Sequence, residues 1–353
     1  MIEVVRGGIV ESRHRVHVAV SDAQGTLVAW LGEPGLGVFY RSAAKPIQAL
    51  PLVEDGVADR FGLAEEELAL CCASHEAEPA HLSGVRSILA KCGLDESSLR
   101  CGPHPPFSER EARALACRGE EPRPVHNNCS GKHAGMLALA VAKGWDPEGY
   151  HELDHPVQRR MLAEVSRWAG VAEEEVGIAV DGCGVACFSV PLSAMAASFA
   201  RFGAAAHRGE APARIVDAMV RHPFMVGGTG RACTEVMACT GARAFVKLGA
   251  EGVYGGGLPG RGLGFAIKVS DGSRRAVEVA LVRVLFALGA LSDEDADTLA
   301  RFARPRVRNT RGEEVGEIRA TFGLEGDMRA APAGAPPGAA SSSSLRTRSV
   351  RDG

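Results

Sequence analysis

The strongest constraint on the fold is a change of hydrophobic period that occurs twice along the chain. Residues 3–32 alternate apolar and polar side chains and turn at Asp22 and Gly25, the period-two pattern of antiparallel strands. Residues 109–117, 134–143, 156–168, 191–202 and 212–221 then carry apolar side chains at helical spacing, several with proline near the start. Residues 244–268 return to the strand period in a glycine-punctuated run of Phe, Val, Tyr and Ile, and a long helix is expected over 274–291. Strands at both ends with helices between them predict an α+β architecture, one antiparallel sheet built from distant parts of the chain and flanked by helices. The expected organisation is a single folded domain over 1–328, with a sheet lobe from 1–35 and 240–325 and a helical lobe between. From 329 to 353 the composition collapses into Ala, Gly, Pro and a run of four serines, which buries too little apolar surface to order itself, so a disordered tail is expected.

Bulk properties narrow the partners. With 46% hydrophobic and 24% charged residues and a formal net charge of -3, the chain offers no general attraction to nucleic acid or to an anionic membrane, and a small neutral or zwitterionic ligand suits it better. No stretch is long and apolar enough to span a bilayer. The start Met1-Ile2-Glu3 lacks the features of a signal peptide, so a cytoplasmic location is expected. Ten cysteines in that setting are expected to stay reduced, which turns attention to metal ligands and reactive thiols.

Arg41-Ser42-Ala43-Ala44-Lys45-Pro46 puts a hydroxyl and an amine three residues apart, neighbours if the segment forms a helical turn. A buried lysine readily loses its proton and can serve as general base toward a serine. Ser-x-x-Lys also occurs by chance on exposed helices, so the pair alone carries little. Serine acyl enzymes of the penicillin-recognising class combine it with a second serine motif and a Lys-x-Gly on a strand. Ser74-His75-Glu76 and Lys247-Leu248-Gly249 supply counterparts in the same order. The plainer reading of Ser74 is a helix N-cap, and of Lys247 an exposed strand lysine.

The polar segment His126 to Met136 leads into an apolar helix, where Ser130 could cap and the following amides could bind a carboxylate. It brings Cys129 and Lys132, and Asp181-Gly182-Cys183-Gly184 offers a second thiol at a strand end, after a buried-strand pattern over 176–180. Two thiolates make a partial site for Zn2+, against the simpler alternative of two buried free cysteines. His151-Glu152-Leu153-Asp154-His155 matches the zinc-protease pattern by letters, but Pro156 biases His155 away from helical geometry, so the imidazoles do not share a helix face. Gly227-Gly228-Thr229-Gly230 is too short and lacks the lysine of a phosphate-binding loop; its glycines are expected to let backbone approach a ligand, and Thr229, without a base beside it in sequence, ranks below Ser42 as nucleophile.

Together, Tyr40 to Pro46, Cys72-Ala73-Ser74-His75, His126 to Met136, Asp181 to Gly184, His222 to Arg231 and Lys247 to Gly252 resemble the signature segments of the rhizobial-type (asparaginase II) L-asparaginases, over residues 2–323. The resemblance implies a fold related to serine β-lactamases and glutaminases, a homodimer, and hydrolysis of L-asparagine to aspartate and ammonia. It implies Ser-Lys catalysis by Ser42 with Lys45 and by Ser74 with Lys247, Lys268 being the alternative lysine. It also implies a zinc site at Cys129, Lys132 and Cys183, and substrate contacts at Arg41, Gly131, His133 and Asp181. Ala186-Cys187 departs from the family's more usual Pro-Thr, and Cys187 adds a third thiol near the expected ligands. In the expected reaction Lys45 takes the Ser42 proton and Ser42 attacks the asparagine side-chain amide, with the opposite assignment, Ser74 as nucleophile and Ser42 as relay, left open by the sequence. The alternatives are a glutaminase or other serine amidase, a zinc-dependent hydrolase, and an inert amino-acid-binding protein.

Overall fold

Strands from the two ends of the chain meet in one central sheet. The computed structural model describes residues 1–326, and the expected tail over 329–353 lies outside the described residues. The N-terminal period-two segment forms β1 (Ile2–Arg6), β2 (Ile9–His14), β3 (Val16–Asp22) and β4 (Leu27–Leu31), followed by the short β5 (Gly37–Phe39). The Asp22 carboxylate accepts the Thr26 amide at 2.8 Å and fixes the turn before β4. Further strands are β6 (Gly177–Val180), β7 (Ala186–Pro191), β8 (Phe245–Gly249), β9 (Val253–Leu258), β10 (Leu263–Val269), β11 (Arg306–Arg308), β12 (Glu314–Ala320) and β13 (Glu325–Gly326).

The α+β class is observed, but the single expected sheet is replaced by three among the described residues. The central one runs β13-β4-β3-β10-β9-β8, a second runs β11-β12-β1-β2, and a third is β5-β7-β6. Period two fixes which side chains share a face and says nothing about which strand is the neighbour. Here β1 pairs with β12 while β3 pairs with β10, so the first two strands leave the central sheet at Arg15. The helix Arg274–Ala287 packs against both β10 and β12 and so covers apolar surface of two sheets at once. Strand β6 falls on the expected segment but is not buried: Ile178 is 47% and Val180 62% exposed.

The glycines of the 244–268 run have a packing reason. Helix Leu192–His207 lies across β3, β10 and β9, and a Cβ at Gly264 would strike the backbone of Ala196 and Ala200, while one at Gly255 would enter the Phe199 ring. Lys247 is the register partner of Gly255, so its side chain leaves the sheet on that same face. The other helices follow the sequence pattern with shifted ends, as Ser130–Lys143, Pro156–Ala169 and Ala211–Arg221.

Candidate active site

Arg41–Ala44 forms one 3₁₀ turn that runs directly into the helix Lys45–Ala49. Tyr40 anchors the turn by donating its amide to Phe188 of β7 at 2.9 Å, and its hydroxyl to Ser198 at 2.9 Å. Arg41 takes a left-handed φ of +50°, a conformation that costs a non-glycine residue about 1–3 kcal/mol and is held here by its contacts. Ser74 lies beyond the helix Glu65–Cys71 in an extended segment. Its amide donates to Val226 at 3.0 Å and the next amide to Asn128 at 3.2 Å, so the segment is tied to two distant parts of the chain. Ser74 is not a cap: Glu78 precedes the helix Pro79–Lys91.

The two lysines converge on Ser74. Lys247 Nζ donates to Ser74 Oγ at 2.9 Å and to its neighbour's carbonyl, Leu248 O, at 2.9 Å. Lys45 Nζ donates to the same oxygen at 3.1 Å, to Cys129 Sγ at 3.3 Å and to the Ala73 carbonyl. The sequence reading placed Lys45 on Ser42, and the structure differs. Lys45 is fully buried, and an amine without water needs acceptors for its protons. Ala73, Ser74 and Cys129 supply three, whereas Ser42 could supply one. The Ser42 hydroxyl has no hydrogen bond among the described residues and lines the cavity instead. Lys268 lies away from Ser74 and donates to the Glu251 carbonyl. Burial pulls the Lys247 amine down from its ordinary 10.5 to about 7, opposed by the Cys233 sulfur and reinforced by the Lys45 charge.

Gly249 explains how strand and turn come together. A Cβ there would stand 2.7 Å from the Tyr40 carbonyl, so the missing side chain lets β8 lie against the turn that carries Ser42.

Two clefts share Ser42, Phe107, Asn128 and Ala250 and form one site with two arms. The arm of about 220 Å³ runs to Arg41, Asp181 and Cys183, and the arm of about 200 Å³ runs past Ser74 to Arg231, Arg274 and Val277. In the first, Arg41 Nε meets Asp181 Oδ1 at 2.7 Å. Burial raises the Asp181 pKa, but Lys132 and Arg41 outweigh it and hold the carboxyl below its usual range. A fixed cation beside a fixed anion matches the carboxylate and ammonium of an amino acid.

Lys132 Nζ donates to Cys183 Sγ at 3.1 Å, and Asp181 Oδ2 lies 3.8 Å from that sulfur. The hydrogen bond from Cys129 lowers the Cys183 pKa, with Lys132 adding to it, and the same bond raises that of Cys129. Burial would lower the Lys132 pKa, yet the two sulfurs raise it. Two sulfurs and one amine therefore already converge, which fits the donor chemistry of a borderline-soft metal. Among the described residues no group of three His, Cys, Asp or Glu side chains is arranged to hold a metal ion, so any such site here depends on the lysine amine. Cys187 is buried within β7 and lines neither arm.

Gly131 and His133 are fully or nearly fully enclosed. A Cβ on Gly131 would strike the Leu70 carbonyl, so the residue sets how closely the helix Ser130–Lys143 approaches Glu65–Cys71. His133 Nδ1 bonds the Tyr150 hydroxyl at 2.6 Å, its Nε2 is buried without a partner among the described residues, and it lines neither arm.

Several supports were invisible in the sequence. His75 Nε2 bonds Ser130 Oγ at 2.9 Å and its ring stacks on His81 at 5.2 Å, tying the Ser74 segment to the Cys129 loop. Arg231 pairs with Glu76 at 2.7 Å. Thr229 donates amide and hydroxyl to Glu78, each at 2.8 Å, a carboxylate that sequence distance had hidden. The Gly-rich loop packs on these acids, since a Cβ at Gly228 would stand 2.6 Å from Glu76 Cγ. In the zinc-protease-like stretch, His155 Nδ1 caps the helix Pro156–Ala169 by accepting from Val157, so the two histidines do not share a helix.

The model of the L-asparaginase II family matches residues 2–320, and the chain belongs to that family, a family of asparaginase-type amidohydrolases. No curated protein matches. Similar solved structures include Mglu in its native form, at 16% identity, 80% of this chain, 67% of that chain and a TM-score of 0.43. A β-lactamase from Mycobacterium bovis follows at 16% identity, 78% of this chain, 95% of that chain and a TM-score of 0.41. A mutant of simvastatin synthase from Aspergillus terreus shares 15% identity over 72% of this chain and 86% of that chain, with a TM-score of 0.32. Among the described residues no helix is long and apolar enough to cross a membrane.

Proposed function

We propose that the chain hydrolyses L-asparagine to L-aspartate and ammonia through a serine nucleophile activated by lysine. One observation carries this reading: Ser74 Oγ lies between the amines of Lys45 and Lys247, at 3.1 and 2.9 Å, on the wall of the cavity that also holds Ser42. Arg41 and Asp181 hold the α-carboxylate and α-ammonium, which brings the side-chain amide to Ser42 where the arms meet. Ser42 Oγ attacks the amide carbon, and its proton passes through the lysine and Ser74 chain to the departing nitrogen. Ammonia leaves, and water cleaves the acyl-enzyme to aspartate. Zn2+ would be held by Cys129, Lys132 and Cys183. Beside Asp181 such an ion would orient the substrate end of the site, because a serine nucleophile requires no metal-bound hydroxide.

A second reading has its own observation. Ser74, and not Ser42, touches both amines, which favours Ser74 as nucleophile with Ser42 as the relay. Ammonia release from asparagine and from glutamine, measured in wild type, Ser42→Ala and Ser74→Ala, tests both. Absence of ammonia from asparagine in the wild type removes the proposal. Peptide mapping of an acid-quenched reaction identifies the acylated serine.

A further inference from the structure

The second arm is larger than the departure of ammonia requires. At about 200 Å³ it has room for several water-sized molecules of about 30 Å³ each, although the amino-acid end of asparagine is already matched by Arg41 and Asp181 in the other arm. With that end fixed there and the carbonyl carbon at Ser42, the amide nitrogen faces Ser74 and the second arm. Its walls carry apolar surface from Phe107, Leu248 and Val277, and Gly252 and Gly272 leave room between them. Arg274 stands at its rim as an exposed cation. Arg231 nearby is occupied by Glu76 at 2.7 Å, whereas Arg274 forms no salt bridge among the described residues. The Glu251 side chain folds over Gly272, where an added Cβ would meet Oε2 at 2.7 Å, and does not close on Arg274.

We propose that this arm is a leaving-group subsite that takes the amine portion of an N-substituted asparagine, with an apolar side chain against Phe107, Leu248 and Val277 and a carboxylate on Arg274. The substrate class is therefore β-aspartyl amides of apolar amino acids, in addition to asparagine itself. The inference rests on the reading that the site cleaves a side-chain amide with the amino-acid end at Arg41 and Asp181. The chemistry balances without further reactants. The serine oxygen bonds to the β-carbonyl carbon, the carbon–nitrogen bond breaks, the serine proton moves to that nitrogen, and a free amino acid leaves in place of ammonia. Water then adds to the ester carbon, returns the serine proton and releases aspartate.

The test measures leucine release from β-aspartyl-leucine and ammonia release from asparagine, in wild type, Arg274→Gln and Arg274→Lys. Wild type is expected to release leucine. Losing one charge-assisted contact should raise KM for β-aspartyl-leucine by about tenfold or more in Arg274→Gln, with partial recovery in Arg274→Lys. Asparagine turnover should stay within about twofold, because ammonia makes no contact with Arg274. β-Aspartyl isobutylamide, which lacks the carboxylate, should be indifferent to both variants. Asparagine turnover with β-aspartyl-leucine neither cleaved nor competing would overturn the subsite and leave the asparaginase reading intact. So would equal losses on all substrates in Arg274→Gln. Leucine release without ammonia release from asparagine would overturn the asparaginase reading and keep the subsite.

Discussion

Replacing Lys247 by methionine should make the protein more stable in acid and inactive. The amine is fully buried, and burial brings its pKa from 10.5 to about 7. At about 1.36 kcal/mol for each tenfold change, that drop makes the charged lysine cost the fold about 5 kcal/mol wherever it is protonated in both states. The sign follows from proton counting. Below pH 7 folded and unfolded chains both hold the proton and the whole cost is present; between pH 7 and 10.5 only the unfolded chain holds it, so the cost shrinks as pH rises. It is about 5 kcal/mol at pH 5 and about 2 kcal/mol at pH 9. Methionine has nearly the same reach and no charge, and it forfeits hydrogen bonds to Ser74 and Leu248 that contribute about 1 kcal/mol each. The stability difference between Lys247→Met and wild type, from urea unfolding, should therefore fall by about 3 kcal/mol from pH 5 to pH 9. A difference that does not change with pH would refute a depressed, fully buried Lys247.

Asparagine turnover, read as kcat/KM, should rise with an acid limb near pH 7 as Lys247 becomes neutral, and a limb near pH 10 would remove Lys247 from proton transfer. Lys45→Ala, Ser74→Ala and their double mutant should all lose activity to a similar degree, since the Lys45 amine and the Ser74 hydroxyl share a hydrogen bond and work as one unit; a double mutant much slower than either single mutant would contradict this. Gly249→Ala should destabilise by about 1–3 kcal/mol and lower activity, because the new methyl meets the Tyr40 carbonyl and pushes β8 from the Ser42 turn; unchanged thermal unfolding would show that the contact yields freely. Elemental analysis should find zinc in wild type prepared without chelator and much less in Cys183→Ser, and equal contents would exclude the Cys129, Lys132 and Cys183 set.

The sequence by itself determined the elements and the chemistry-bearing segments. Period two over 3–32 and 244–268 encoded the strands because alternate side chains face a core, and the motif order marked Lys45, Ser74 and Lys247, which meet, and Ser42, which lines the same cavity as Ser74. The sequence left Lys247 and Lys268 both open as the partner of Ser74, and the fold chose Lys247, with Gly249 admitting the Tyr40 carbonyl beside it. Only the tertiary structure decided partners. Three sheets form where one was expected, since a face pattern does not specify a neighbour. Lys45 turned from Ser42 to Ser74, Cys129 and Ala73, because the acceptors that satisfy a dehydrated amine come from segments 28 to 84 residues away. Glu78 reached Thr229, and Arg41 reached Asp181, by the same long-range route. Local spacing determines which groups can form a turn or a strand; desolvation determines which of them must find each other, and that depends on everything packed around them.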